Sequence, residues 1–333
     1  MIGIVTAIIR QIGAVMSDAS HSPLRGLGFA FAAFAVFATH DAVIKTLGVN
    51  FSVFQIIFFA MLFAFVPMSV LMLADRQVDN FRPRHPWLIL LRSATSLIAM
   101  SAAFYAFTVL PLAEVYALLF ATPLLITAMS ALLLGETVRA QRWAAVMVGL
   151  IGVLIVLRPG VIQISFGHIC ALIAAFCSSL GSVIMRKIGG EERTAVMILY
   201  PMLSSITFMA LILPFVYRPM EVTQLGMLAS LGVLSVGAQV MIIAAYRAAP
   251  AAVVAPMQYS QILWATLFGA LFFEEWPDMW VGVGASVIIA SGIFIVWRES
   301  RPSVSMRNPI LRDPNPRYDA GPSPKPKHRR PQS

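Results

Sequence analysis

Apolar residues along this chain run in long blocks broken by short polar or turn-forming stretches. The blocks fall near 26–47, 52–74, 88–109, 112–135, 143–157, 167–186, 196–217, 225–246, 251–273 and 279–297. Most approach the ~20 residues that a helix needs to cross a hydrocarbon core of roughly 30 Å. Between them stand turn and charge signals such as DRQVDNFRPRHP, RPG, GGEERT, Pro250 and WPD. The pattern predicts an all-α integral membrane protein with ten transmembrane helices. A β-barrel would show ten-residue segments of alternating polarity, and these blocks do not alternate.

The two halves of the pattern repeat. Val43 and Ile44 precede Val183 and Ile184 by 140, Tyr105 precedes Tyr246 by 141, and Pro111 precedes Pro250 by 139. Glu136 precedes Glu275 by 139 and Gly152 precedes Gly292 by 140. A nearly constant offset divides the membrane region into one repeat at 26–160 and another at 166–299. Five helices per half is an odd number, so the second half enters the bilayer inverted, as in alternating-access transporters with a site between the halves. The chain then opens with a cytoplasmic, interfacial segment at 1–25 and closes with a basic, Pro-rich, disordered cytoplasmic tail at 300–333.

Orientation follows from Lys and Arg in alternate breaks. One side holds Arg10, Arg25, Arg76, Arg82, Arg84, Arg139, Arg142, Arg186, Lys187, Arg193 and Arg247, and the other only Lys45, Arg158 and Arg218. Eleven against three places both termini in the cytoplasm and the protein in a bacterial inner membrane.

Composition sharpens this reading. The chain is 59% hydrophobic and 12% charged, against roughly 25% charged for a soluble domain. Its net charge of +9 does not indicate nucleic acid, because nine of the 24 Lys and Arg follow Trp297, where attraction to anionic lipid headgroups accounts for them. Cys170 and Cys177 form no CxxC pattern and read as packing residues, with no metal site. No cofactor is expected. The expected partners are a small-molecule substrate and membrane lipids, with a homodimer left open.

The stretch LPLAEVYALLFATPLLITAMSALLLGETVRAQRWAAVMVGLIGVLIVLRPG at 110–160 resembles the EamA domain of the drug/metabolite transporter superfamily. A second copy follows in YSQILWATLFGALFFEEWPDMWVGVGASVIIASGIFIVWRE at 259–299. The resemblance implies two inverted five-helix repeats, cytoplasmic termini and a central cavity lined mainly by helices one, three, four, six, eight and nine. The LPLA and RPG phrasing is similar to a subgroup that includes bacterial riboflavin and S-adenosylmethionine uptake carriers; amino-acid exporters belong to the wider family. Two departures are visible. Relatives often carry Arg in the second helix, where this chain has Ala60 or Met61, and the usual Gly before the second motif's Glu is Glu274. No anionic-substrate contact is therefore carried over in the second helix.

Ionisable side chains are expensive inside a bilayer, so each has a structural and a functional reading. Asp41 and Lys45, four apart on one helix face, read as a neutral pair near the outer end. The alternative makes His40 and Asp41 a proton-sensitive gate. Glu114 reads as an interfacial residue at a helix start, or as a third gate candidate. Arg92 reads as snorkelling to the cytoplasmic headgroups, and Glu136 and Glu275 as interface anchors at opposite membrane faces.

At ~1.5 Å per residue, Thr122 in helix four and Tyr259 and Gln261 in helix nine fall near mid-membrane. Tyr105, Tyr116, Gln239 and Trp264 lie within a few turns. Each alone reads as packing; together they make an aromatic slot with few polar anchors. Such a slot, without a buried cation, suits a flat, uncharged heterocycle. Riboflavin import is accordingly the first specific expectation, with S-adenosylmethionine uptake or amino-acid export as alternatives. An intramembrane lipid-modifying enzyme is the rival class, but no HExxH or GxSxG motif supports it. A receptor or scaffold would have no need of an inverted repeat. No P-loop is present, so ATP is not the direct drive.

The charge asymmetry yields a direct expectation. A reporter fused after residue 300 reads as cytoplasmic and one inserted in the 159–166 loop as external; a cytoplasmic signal from that loop would overturn the helix count and the inversion.

Overall fold

A computed structural model describes residues 23–74, 82–135, 140–160 and 163–299. The expectations for the chain's first residues, its basic tail and Glu136 lie outside them. The described residues form α1 (Pro23–Gly48), α2 (Val53–Ala74), α3 (Pro86–Val109), α4 (Leu112–Leu119), α5 (Thr122–Leu134) and α6 (Ala140–Leu157) in the first half. The second half holds α7 (Phe166–Ile188), α8 (Thr194–Val216), α9 (Val222–Ala248), α10 (Ala251–Val254), a 3₁₀ segment (Ala255–Ser260), α11 (Gln261–Phe273) and α12 (Met279–Glu299). No β-strand occurs among them.

Eight spans are long and apolar enough to cross a membrane, counting α4 and α5 as one. The apolar stretch of α2, Val53–Ser69, is shorter. The remaining block, 251–273, is not one continuous helix but α10, the 3₁₀ segment and α11.

Both interruptions have a backbone cause. Pro123 stands in the first turn of α5 and Pro256 in the first turn of the 3₁₀ segment, and a proline has no N–H to continue an α-helical ladder. The turn at Phe120 and Ala121 and the segment ending at Tyr259 and Ser260 differ by the same 139 residues that separate Glu136 from Glu275. The two breaks meet, with the rings of Phe120 and Tyr259 edge to face at 5.0 Å. Gly292 makes room for this contact, since a Cβ there would come within 1.7 Å of the Tyr259 hydroxyl.

Helix pairing follows the two-half scheme. The most extensive contacts are α1 with α9 and α3 with α7, and each of these pairs becomes the other when every span is exchanged for its counterpart. α2 with α8 and α6 with α12 map onto themselves. The α6–α12 crossing is set by Gly152 and Gly284: a Cβ on Gly152 would lie 2.9 Å from the Gly284 carbonyl, and one on Gly284 would lie 2.7 Å from the Gly152 carbonyl. Small residues give such close approach in a bilayer, where no hydrophobic force drives helices together.

The motif departure at Glu274 is visible in the backbone. Gly135 ends α5 at φ 66°, and Glu274 ends α11 at φ 56°. The left-handed region costs an L-residue roughly 1–2 kcal/mol, of which glycine's extra chain entropy returns part. Glu274→Gly is therefore expected to stabilise the detergent-solubilised protein by about 0.5–1 kcal/mol. Glu274→Ala keeps the strain and should give no gain; equal melting temperatures for all three proteins would refute the account.

Candidate functional site

A cavity lies between α1, α2, α3, α7, α8 and α9, with about 1100 Å³ of atom-free space including its opening. Arg92 and Phe104 line it from one helix, twelve residues or about 18 Å of rise apart. Arg92 stands near the face where α1 and α3 begin, which carries most of the arginines; Phe104 and His40 stand deeper. The walls are methionine-rich, with Met61, Met68, Met100 and Met202. Serines 96, 178, 205 and 235 supply hydroxyls, and the last two donate to the Pro201 and Gly232 carbonyls at 2.8 and 3.0 Å.

This geometry revises the sequence expectation. The fourth and ninth spans do not line the cavity, and α2 and α8 take their place. The reason is packing: Tyr116, Phe120 and Tyr259 fill the hydrophobic core at the meeting of the two breaks. Arg92 does not snorkel outward. It is 3% exposed and lines the cavity, because α7, α8 and α1 flank α3 and leave its polar side facing inward.

The opposite face is joined by polar pairs that each link the first half to the second. Lys45 Nζ lies 2.6 Å from Glu275 and also donates to the Leu110 carbonyl at 2.5 Å. Glu275 in turn accepts from the Leu112 N–H at 3.2 Å. His168 Nε2 lies 2.8 Å from Glu114, and Arg158 pairs with Asp278. Gln55 and Arg218 exchange two hydrogen bonds of 2.9 Å, side-chain amide to backbone, and the Arg218 guanidinium donates to the Asn50 carbonyl.

The expected Asp41–Lys45 pair is replaced. Lys45 reaches across to Glu275, while Asp41, fully buried, accepts from the Tyr116 hydroxyl and faces His40 Nδ1 at 3.0 Å. A carboxylate so deep is held by neighbours that hydrogen-bond it, and the longer lysine satisfies its charge nearer the surface. Glu275 is correspondingly more than an interface anchor: it ties Lys45 and the α3–α4 connection to the start of the α11–α12 turn.

Of the ten candidate residues, His40 lines the cavity. Tyr105 is half-buried, edge-on to Phe166 at 5.4 Å. Thr122 opens α5, and its carbonyl accepts from Ser179 at 3.1 Å. Gln239, Tyr259 and Gln261 are buried. The Nε2 atoms of Gln239, Gln258 and Gln261, the Ser260 hydroxyl and the Trp264 Nε1 lack hydrogen-bond partners, and the Trp264 ring lies 5.0 Å from Phe31. The Tyr259 hydroxyl lies by Gln258 without reaching hydrogen-bond geometry. Sequence reasoning missed His168 and Arg158. His168 also forms a capping box with Ser165 at the start of α7, and the Ser-x-x-His spacing was its one local signal.

The EamA-like transporter family matches residues 24–158 and 165–297. The chain is 23% identical to an S-adenosylmethionine uptake transporter of Rickettsia felis, over 86% of this chain and 97% of that one. It is 30% identical to a riboflavin transporter of Rhizobium johnstonii, over 66% of this chain and 73% of that one. It is 27% identical to a pseudopaline exporter of Pseudomonas aeruginosa, over 81% and 93% of the two chains.

The Lys45–Glu275 pair is open to test. Its side chains are 11% and 22% exposed, so breaking it should cost about 1–2 kcal/mol of the stability of this conformation, a factor of roughly 5–30 in population. A cysteine at Phe104, in a background without native thiols, reports this as faster labelling from the ion-pair face in Lys45→Met. The exchange Lys45→Glu with Glu275→Lys should slow it again. Labelling that ignores all three substitutions would show that the pair does not hold this face together.

Proposed function

The chain belongs to the EamA-like transporter family, and on that premise we propose that it is a ten-span secondary carrier moving a small organic metabolite by alternating access. The observation that carries this reading is a cavity reaching toward the Arg-rich face, with four sets of inter-half contacts at the other face against those of His85 with Glu191 and Glu192 at the Arg-rich one. In this reading the Arg-rich face is cytoplasmic, the pairs form the closed outer gate, and breaking them while the halves rock opens the cavity outward.

His40, Asp41 and Glu114 belong to that gate. Asp41 joins α1 to Tyr116 of α4, and Glu114 joins α4 to His168 of α7, so each must shift when those helices part. The polar groups of the ninth span have a second role. Buried donors without partners cost roughly 1–3 kcal/mol each, and a substrate sliding past the break at Tyr259 would supply acceptors. Tyr105, Tyr116, Thr122, Gln239, Tyr259, Gln261 and Trp264 are accordingly assigned to substrate passage on the side of the breaks, and not to the cavity wall.

For the substrate, the sequence favours riboflavin over S-adenosylmethionine because it points to no buried cation at the site. Arg92 lines the cavity, so that reason no longer holds. Identity to the Rhizobium protein supports riboflavin, and identity to the Rickettsia protein supports S-adenosylmethionine.

Native Cys177, which lines the cavity, provides the assay. In a Cys170→Ser background, an impermeant maleimide should label Cys177 from the Arg-rich face, and a transported metabolite should protect it. Proteoliposomes should accumulate that same metabolite, and Gln261→Ala should slow uptake about tenfold, the effect of ~1.4 kcal/mol, at normal protein abundance. No protection and no flux across a panel containing riboflavin, S-adenosylmethionine and the common amino acids would count against the carrier reading.

A further inference from the structure

We propose that the side of the cavity built by α2, α8 and α9 is an acceptor surface that selects its substrate by a neutral N–H group, such as the ring N–H or exocyclic amine of a heteroaromatic body. The proposal rests on the carrier reading above and names the group by which that cavity recognises its substrate.

The first observation is where the hydroxyl hydrogens go. Ser205 and Ser235 both line the cavity, and each is the middle residue of its helix, the depth at which an alternating-access site lies. Ser205 Oγ donates to the Pro201 carbonyl at 2.8 Å, and Ser235 Oγ donates to the Gly232 carbonyl at 3.0 Å. A hydroxyl has one hydrogen and two lone pairs. Each serine has therefore used its donor on its own helix and keeps its acceptor capacity.

The second observation is a carbonyl that its helix cannot satisfy. Pro201 stands inside α8 and lines the cavity. Its ring nitrogen has no hydrogen, so the Met197 carbonyl one turn earlier loses its α-helical partner. Residues four apart share a helix face, which sets that carbonyl beneath the proline ring on the cavity side. At membrane depth such a carbonyl is tolerated where a cavity or a neighbour meets it.

The third observation is what else this side offers. Among the described residues, the rest of the wall from these three helices is Met61, Ala64, Met68, Ile198, Met202 and Val236. A thioether sulfur is a weak acceptor, and the other side chains have no polar atom. A ligand carbonyl or carboxylate placed here would meet no side-chain donor and go unpaired. No Asp or Glu lines the cavity among the described residues, so an ammonium would find no carboxylate in the wall, whereas a neutral N–H needs only an acceptor. The methionines adapt to the ring that carries it.

The test compares probes that differ only in N-methylation: riboflavin with its N3-methyl derivative, tryptophan with its N1-methyl derivative, and S-adenosylmethionine with its N6,N6-dimethyl derivative. Protection of Cys177 and proteoliposome flux are read for each pair on the native wall, in the Cys170→Ser background. At least one parent should act tenfold or more better than its methylated partner. Bulk alone would also exclude a methyl group, and three variants separate the causes. Ser205→Ala and Ser235→Ala each remove an acceptor, and Pro201→Ala returns an N–H to the Met197 carbonyl. Each should weaken the parent several-fold, leave the methylated partner nearly unchanged, and so narrow the ratio. The proposal is overturned if every methylated probe matches its parent, if the ratio survives in all variants that reach the membrane, or if no parent protects Cys177 or is carried. Flux of any metabolite without a methylation penalty would sink this inference and leave the carrier reading standing, whereas absence of all flux and protection would sink both.

Discussion

The arrangement of this bundle depends on polar groups that reach from one half to the other, with four sets at the face opposite the Arg-rich one and His85 meeting Glu191 and Glu192 at the Arg-rich face. Lys45 with Glu275, Glu114 with His168, Arg158 with Asp278, and Gln55 with the Arg218 backbone all cross between the halves. Apolar helix surfaces give little preference among relative positions in lipid, because tails solvate them as well as neighbouring helices do. Directional pairs therefore set the angle between the halves. The contacts are more numerous at the face opposite the Arg-rich one, and the cavity reaches toward the Arg-rich face.

Glu275 also shows how a backbone cost is tied to a side-chain function. The preceding Glu274 sits at φ 56° where glycine would rest without strain. The turn it makes brings the Glu275 N–H to the Gly269 carbonyl at 2.9 Å and turns the carboxylate back toward Lys45 and the Leu112 N–H. The equivalent turn after α5 uses Gly135 at φ 66°. The same fold device thus appears in both halves, with the strained version at the face where Lys45 and Glu275 pair.

Much of the fold was legible because the bilayer imposes a length and a polarity that sequence displays directly. The blocks and the 139–141 offset needed no tertiary information. The partners of charged residues did. Asp41 and Lys45 are four apart, and local spacing paired them, but Lys45 meets a carboxylate 230 positions away that no helical period could indicate. Arg92 was misread for a related reason. Its depth was recoverable by counting residues, whereas its direction depended on α7 and α8 packing against α3. The prolines at 123 and 256 stand at both breaks, although the block pattern reads each of those spans as one continuous helix. What they could not announce is that the breaks pack against each other through Phe120 and Tyr259, which turns a presumed cavity wall into core.

A carrier needs its alternative conformations within a few kcal/mol of each other, since a shift from 1:99 to 99:1 already takes about 5.5 kcal/mol of differential binding. Four sets of inter-half pairs, each partly shielded from water, would bias the bundle beyond that range if nothing opposed them. The unpartnered amides and indole of Gln239, Gln258, Gln261 and Trp264 provide the opposition. They are buried in this conformation, in which the pairs are made, so they work against it from the eighth and ninth spans. Replacing these polar groups by apolar ones of similar shape would improve packing in this conformation alone. The bundle would then be more stable and less able to leave it, and polar residues that weaken a single state are what a protein cycling between two has reason to keep.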